Sequence, residues 1–571
     1  MHTLCAGLAT AVITCTVFAQ PAPQTSAEQE QRRAQERESK IREQQERGPD
    51  VRIPAPSSAA SQRLPEGESP CFRINLVQLR TLSPGDADRF AWLSQTLAGG
   101  ANDDSPRDKC LGAKGIDVVL TRAQDALVAR GFITSRALAE PQDLSSGTLV
   151  LTVLPGRIHA IRFAEPGNPR ATAWNAVPAQ PGDILNLRDI EQALENFKRV
   201  PTAEADIKIE PAAGEGVGPD QSDLVITYKQ GLPFRLSLSA DDSGTKATGK
   251  YQGSATFSYD NWWTVNDLFY VALNRDLGGG DAGSRGTYGG AVHYSVPFGY
   301  WLLGLTASRN RYYQSVAGAN QDYVYSGTSD NAEVKLSRLV YRDASRKTTA
   351  SLKAWQRKSN NFIDDTEIEV QRRVVGGWEF GVGHKEFIGD ATLEGSLAYK
   401  RGTGAFGSLP APEEAFGEGT SRFALVTADA NLSWPFKIAE QKLRYTATWR
   451  FQRNRTPLTP QDRFAIGGRY TVRGFDGESS LSAERGWLIR NELSTALGES
   501  GQELYVGLDH GEVGGPSSEF LAGKHLTGAV LGLRGVLKGL QYDIFVGRPL
   551  KKPEAFQTAD ATVGISLNYS F

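Results

Sequence analysis

Methionine is all but missing: the 571-residue chain has one, at its first position. That excludes a Met-rich adaptable groove of the kind that accommodates many partners. Histidine is nearly as scarce. Beyond His2, the residues His159, His293, His384, His510 and His525 are scattered, and none stands near a Gly-x-Ser-x-Gly elbow. No CxxC and no His/Cys cluster offers a metal ligand set. Charge of one sign never accumulates either. Sixty-three basic and 65 acidic residues leave a net charge of −2, with the basic ones dispersed, which is no footprint for nucleic acid. No apolar run beyond the extreme N-terminus is long enough for a helical membrane span. Catalysis, cofactors, metals and nucleic acid are therefore not expected.

What is abundant is glycine, with 60 residues, beside 24 Phe, 18 Tyr and 10 Trp. That mixture suits many short strands and turns. At this length two to four domains are expected. Residues 4–19, LCAGLATAVITCTVFA, are apolar and end in small residues before Gln20-Pro21, the pattern of a secretory signal peptide over 1–19. It takes Cys5 and Cys15 with it. Cys71 and Cys110 remain as an even pair in an exported chain, and a disulfide between them is expected. Closing a loop of about 40 residues stabilises a domain by roughly 3–4 kcal/mol on the chain-entropy account.

Residues 26–47, SAEQEQRRAQERESKIREQQER, favour helix throughout. Ser26 and Gln29 have capping-box spacing, and Gly48-Pro49 supply a stop. Such a helix would be about 33 Å long. Its only large apolar residue is Ile41, so it has no face to bury in a core. It belongs either in solvent or in a polar, water-filled space. Residues 49–69, rich in Pro, Ser and Ala, form a linker.

Two consecutive α+β modules follow. The first, 70–155, runs from the strand-like FRINLVQL through a helix bearing Phe90, Leu93 and Leu97 to a second helix with Ile116, Val119, Leu120, Ala123, Ala126 and Leu127 at helical spacing. It ends in the strand TLVLTVL. The second, 156–230, carries RIHAIRF, the helix RDIEQALENFKRV, and the strands ADIKIEP and SDLVITYK. From 231 the period becomes two. In YTATWRFQR, Tyr445, Ala447, Trp449 and Phe451 share one face, and Thr446, Thr448, Arg450 and Gln452 the other. The closing TVGISLNYSF alternates likewise to Phe571. Strands of about ten residues with one apolar and one polar face signal a transmembrane β-barrel rather than a soluble sandwich, because only a closed sheet leaves no unpaired edge in hydrocarbon. Some 340 residues give about 16 strands at about 21 residues per strand and loop. A lumen of that size offers the polar helix a home.

LGGGDAG contains a Gly-x-Gly-x-x-Gly at Gly278, Gly280 and Gly283, but it lies between alternating strands with no helix after it, so a dinucleotide site fails on context. GGRYTVRGFDG at 467–477 likewise lacks the Lys-Ser/Thr and the helix of a phosphate loop.

Several stretches, in order from about 71 to 571, resemble the TpsB family of outer-membrane transporters of two-partner secretion. They are GFITSRALAEPQDLSSGTLVLTVLPGRI (131–158), LRDIEQALENFKRVPTAEADIKIEPA (187–212), the barrel entry LSLSADDSGTKATGKYQGSATFSYDNWWTVNDLF, YSVPFGYW (294–301) and, above all, FAIGGRYTVRGFDGESSLSAERGWLIRNEL (464–493). The resemblance implies two periplasmic POTRA modules of β-α-α-β-β form, a 16-stranded barrel, and an N-terminal helix (20–48) plugging the pore. It also implies a loop, about 456–485, folded into the lumen. In that loop Val472, Arg473, Gly474 and Phe475 form the family motif, whose arginine pairs with an inner-wall aspartate. Asp509 in LYVGLDHGEV fits that position, and as an unrelated residue it would be an ordinary solvated carboxylate at a strand end. A bidentate carboxylate pair needs guanidinium geometry that Lys lacks.

The implied function is export, without ATP, of one TpsA-type exoprotein: an adhesin, haemolysin or contact-dependent toxin. The expected setting is the bacterial outer membrane, with lipopolysaccharide around the barrel, insertion by the barrel-assembly machinery with Phe571 as terminal signal, and a monomeric state. The alternatives are an assembly insertase of the same superfamily, expected to have more POTRA modules, and a passive porin, expected to have none.

Overall fold

The structure, a computed structural model, describes residues 23–54, 63–81, 84–97 and 104–571. The signal segment expected over 1–19 lies outside them. Helix α1 spans Pro23–Glu46. It begins three residues before Ser26, the start that the sequence suggests.

The first module pairs β1 (Phe72–Ile74) with β3 (Lys109–Leu111), across which the disulfide Cys71–Cys110 closes. FRINLVQL is two strands rather than one: it breaks at Asn75, and β2 (Leu76–Thr81) joins a different sheet. There β5 (Thr148–Leu154) lies between β2, parallel to it, and β4 (Arg136–Leu138). Helices α2 (Trp92–Leu97) and α3 (Ala113–Ala129) cover the sheet, burying Leu93, Leu97, Val119, Ala123 and Leu127 against Leu149 and Leu151. Asp104 ties the preceding segment in. Burial works against its charge, but the Leu64 amide, Arg122 and Lys109 hold its carboxyl well below the usual range.

The second module has β6 (Arg157–Phe163) parallel to β8 (Gln221–Gln230) and β7 (Ala203–Pro211) antiparallel to it. Only one of the two helices implied by the β-α-α-β-β pattern forms, α4 (Leu187–Lys198). Residues 164–186 are turns and loop instead. Pro166, Pro169, Pro178 and Pro181 each lack an amide donor, and Gly167 and Gly182 add backbone freedom, so no continuous helical ladder can run there.

Sixteen antiparallel strands, β9 (Phe234–Asp241) to β24 (Thr562–Ser570), then form a closed barrel, and β24 pairs with β9 from Ser566↔Asp241 to Ser570↔Ser237. The alternation works as the membrane requires. Leu236, Leu238, Phe257 and Leu273 are exposed outward, whereas Thr256, Ser258 and Gln252 are buried inward. Trp262, Trp263, Phe298 and Trp301 are exposed at the rim that meets the second module, where an aromatic girdle belongs. Strands are longer than the ten or so residues expected: Trp301–Ala317 has 17 and Asp322–Arg342 has 21. The distal half of the second carries Ser326, Thr328, Ser329, Asp330 and Asn331, a polar run suited to a ribbon that continues beyond the bilayer into water. No described helix is long and apolar enough to cross a membrane, which says nothing of strands.

Candidate functional site in the barrel lumen

The residues between strands Gln441–Asn454 and Arg485–Ala496 fold inward, pinned at their base by a short ribbon of Phe464–Ile466 with Leu481–Ala483. Buried Asp462 anchors the entry: its Oδ2 accepts from Arg357 Nη2 at 2.8 Å. At the tip, Gly474 has φ +98°, and a Cβ there would stand 2.7 Å from the Arg548 carbonyl. The wall it meets is correspondingly bare. A Cβ on Gly528 would lie 2.0 Å from the Arg473 carbonyl oxygen, and one on Gly547 2.8 Å from the Gly474 Cα. Backbone therefore touches backbone, which only glycine permits.

This close approach delivers the Arg473 side chain to Asp509, on strand Glu503–Gly514. Nε donates to Oδ2 at 2.8 Å and Nη2 to Oδ1 at 3.0 Å, while the Arg473 amide also donates to Oδ2 at 3.0 Å. Arginine is 5% and aspartate 1% exposed. Nη1 donates to Glu492 Oε2 at 2.7 Å, and Glu492 is shared with Arg534, which reaches on to Glu503. Arg490 closes the set at 3.6 Å from Asp509. Three guanidiniums thus face three carboxylates, and each nitrogen of Arg473 has an acceptor. Apolar contacts back the pair: Val472 and Phe475 are buried with Ile466, Leu481, Leu488 and Phe556, the two phenylalanine rings meeting edge-on at 5.8 Å. The expected motif residues, Val472 to Phe475, and Asp509 are brought together. Glu492, Arg490, Arg534 and Glu503 were not foreseen. The alternation Arg490-Asn491-Glu492 on the strand next to Asp509 was the available signal, since Arg490 is its register partner.

Helix α1 fills the space beside this loop. Gln29 donates to Ser480 Oγ at 3.0 Å, Arg32 to the Pro460 carbonyl at 3.1 Å, and Arg33 to the Gly477 carbonyl. The Lys40 ammonium sits 4.7 Å from the centre of the Tyr470 ring. On the barrel side, Arg42 pairs with Glu333, Glu38 accepts from Ser308 at 2.7 Å, and Gln45 accepts from Arg235 and Ser258, each at 3.0 Å. His293 Nε2 stands 2.7 Å from Glu46 Oε1. Nearly every contact is polar, as a helix without an apolar face requires.

A second set of contacts was not foreseen. Arg342, at a barrel rim, is 3% exposed in its side chain and donates to Glu191 at 2.9 Å, to Glu195 at 3.0 Å and to the Val51 carbonyl at 2.6 Å. Asn196 donates to the Gly299 carbonyl at 2.8 Å and Arg199 to Ser295 Oγ at 2.8 Å. These bonds seat α4 on the short turns of the barrel. Burial pushes the Asp189 carboxyl up there, against the opposing bond from the Tyr300 hydroxyl. Phe571 lies exposed at the end of β24, its amide bonded to the Leu236 carbonyl at 2.9 Å.

The sequence pattern of the haemolysin secretion/activation proteins ShlB/FhaC/HecB matches residues 220–535, more than half of the chain. The chain belongs to this family. A ShlB-type POTRA pattern matches 104–156 and a further POTRA pattern 157–211. Outer membrane transporter CdiB-2 of Burkholderia pseudomallei (strain 1026b) is 38% identical over 98% of both chains, and the CdiB transporter of Dickeya dadantii (strain 3937) is 27% identical over 88% of this chain and 87% of its own. The structure of CdiB from Acinetobacter baumannii, 30% identical, matches with a TM-score of 0.84 over 97% of this chain and all of its own. This family member is an outer-membrane transporter of two-partner secretion, with a 16-stranded barrel in the membrane and POTRA modules in the periplasm ahead of it. The family exports partner exoproteins.

Proposed function

We propose that the transporter cycles between a plugged state, in which α1 fills the lumen, and a conducting state through which one unfolded exoprotein passes, while the Arg473 loop stays latched to Asp509. The observation that carries this reading is the contrast in what holds the two lumen fillers: polar contacts for α1, buried and apolar-backed contacts for the loop. The two POTRA modules, proposed as 70–155 and 156–230, receive the substrate by adding one of its segments to a free sheet edge. Strands β2, β4, β6 and β7 are the edges of their sheets. Segment 20–48 is the plug, 49–69 its tether, 231–571 the barrel and 456–485 the latch loop.

The cargo is a TpsA-type adhesin, haemolysin or contact-dependent toxin. Transport without catalysis fits a chain that works as a monomer in a lipopolysaccharide-bearing membrane, inserted by the barrel-assembly machinery through Phe571. The insertase reading is disfavoured by a lumen filled with its own helix, and the passive porin by the two POTRA patterns. Secretion of an exoprotein encoded beside this chain, reconstituted in a host lacking both, tests the proposal. Export is expected with the full chain, and its absence despite an inserted barrel would overturn the assignment.

A further inference from the structure

The outward face of the barrel carries a groove separate from the lumen. Over the strands from Phe234 to Phe298 the lipid-facing positions shrink to Gly253, Ala255 and Gly290, bordered by Leu238, Leu273 and Leu277. They line a groove of about 700 Å³. Leu273 and Leu277 are 60% and 62% exposed, whereas their strand neighbour Ala272 faces the lumen at 3%, which puts the groove on the outside.

The ladder continues from apolar to basic. Leu273 is opposite Gly290 and Gly290 opposite Arg309, while Arg275 is opposite Tyr288 and Tyr288 opposite Arg311. Arg275, Arg309 and Arg311 all border the same groove. A tilted strand crosses hydrocarbon in about 9–11 residues. Counted from Trp301 at the periplasmic turn, that distance ends at Arg309–Arg311, the level of the outer-leaflet headgroups. Arg309 is already matched, donating to both carboxylate oxygens of Asp330 at 2.6 and 3.0 Å. Exposed Lys358 is the register partner of Asp330. Arg311 donates to the Tyr288 hydroxyl at 3.1 Å, and neither it nor Arg275 has a carboxylate partner among the described residues. Four cations therefore face one carboxylate. Unmatched guanidiniums beside hydrocarbon are costly, and a phosphate relieves that cost through charge-assisted, bidentate bonds.

We propose that this groove binds the phosphorylated glycolipid of the outer leaflet, one acyl chain lying over Ala255 and Gly290, in the row of Leu273, and a headgroup phosphate held by Arg275 and Arg311. The height of the arginines, at the leaflet opposite the POTRA modules, selects this lipid over periplasmic-leaflet glycerophospholipid.

The full-length transporter in detergent, titrated with bisphosphorylated lipid A, its monophosphoryl derivative and phosphatidylglycerol under native mass spectrometry, tests the assignment. The wild type should retain lipid A. Arg275→Gln/Arg311→Gln should bind it at least about tenfold more weakly, because both guanidiniums that hold the phosphate are lost. Gly290→Leu, which fills the groove without changing charge, should weaken it as well. Heat-modifiable migration on gels reports that each variant is folded. Unchanged lipid A binding by the double variant, or by Gly290→Leu if the double variant does not fold, overturns the site. Equal retention of phosphatidylglycerol overturns the choice of lipid.

Discussion

Helix α1 and the loop that carries Arg473 occupy the same lumen, and they touch: Gln29 bonds Ser480. They are held in opposite ways. In the loop, each guanidinium nitrogen of Arg473 has an acceptor, the partner Asp509 is 1% exposed, and Phe475 sits in an apolar cluster. In the helix, Arg42 and Glu333 pair with side chains 25% and 21% exposed. Buried Gln31 makes no side-chain hydrogen bond among the described residues, and Nε and Nη1 of Arg37 make none either. Leaving buried polar groups unpaired works against holding an element in place. On the proposed cycle, saturated donors with apolar backing would keep the loop in a wet lumen, and their lack would let the helix leave it.

If that contrast is right, the largest effect belongs to the latch. Asp509→Ala leaves Arg473 with Glu492 alone, and Arg473→Ala leaves Asp509 with only the more distant Arg490, at 3.6 Å. Either should cost about 3–5 kcal/mol, the penalty for breaking a buried pair, in the thermal or urea stability of the folded barrel. Secretion into the culture supernatant should fall sharply with the barrel still inserted. Arg473→Lys should not restore it, because an ammonium cannot serve two oxygens of Asp509 and one of Glu492 in one plane. Normal secretion by all three variants would remove the latch from the mechanism.

Gly528→Val attacks the same contact without touching a charge. Its Cβ would fall 2.0 Å from the Arg473 carbonyl, so the tip must retreat, at about 1–3 kcal/mol for overpacking. Reduced secretion and a lowered unfolding midpoint are expected. An unaltered midpoint would mean that the loop is held by charge alone.

That glycine wall also marks what could be read from sequence. The barrel was legible because period-two alternation must appear wherever one face meets lipid, as in Tyr445, Ala447, Trp449 and Phe451. The polar character of α1 was legible for the converse reason. The way Gly528 and Gly547 admit the loop was not, because a glycine called for by a neighbour more than 50 residues away in sequence looks like any other strand glycine. Glu492 and Arg534 were missed similarly: each alternates correctly as a lumen residue, and only register across strands makes them one network with Arg473. The seat of α4 on Arg342 joins residues some 150 apart, with no local signal at all. The missing helix of the second module, by contrast, was written in Pro166, Pro169, Pro178 and Pro181 and overridden by the family pattern.

Deleting residues 23–46 probes the other side of the comparison. The unfolding midpoint should move little, because polar contacts that are partly wet contribute weakly. Single-channel conductance in planar bilayers should rise, because the lumen would lose a helix of 24 residues. A large fall in stability with unchanged conductance would make α1 a structural strut.

The smallest effect should come from one contact of the helix. Glu333→Gln removes the carboxylate that pairs with Arg42 while keeping its size, and Glu38 remains bonded to the same guanidinium at 2.8 Å. A partly exposed pair with a second acceptor at hand is worth less than about 1 kcal/mol. That is up to roughly a fivefold shift between plugged and open states, since 1.4 kcal/mol is a factor of ten. Channel records should show more frequent openings at the same open-state conductance, because the pore itself is unaltered. The same substitution cannot disturb the latch, which shares no residue with Arg42. An equal loss of loop stability, read as a fall in secretion comparable to Asp509→Ala, would show that plug and latch are one cooperative unit and would end the distinction between them.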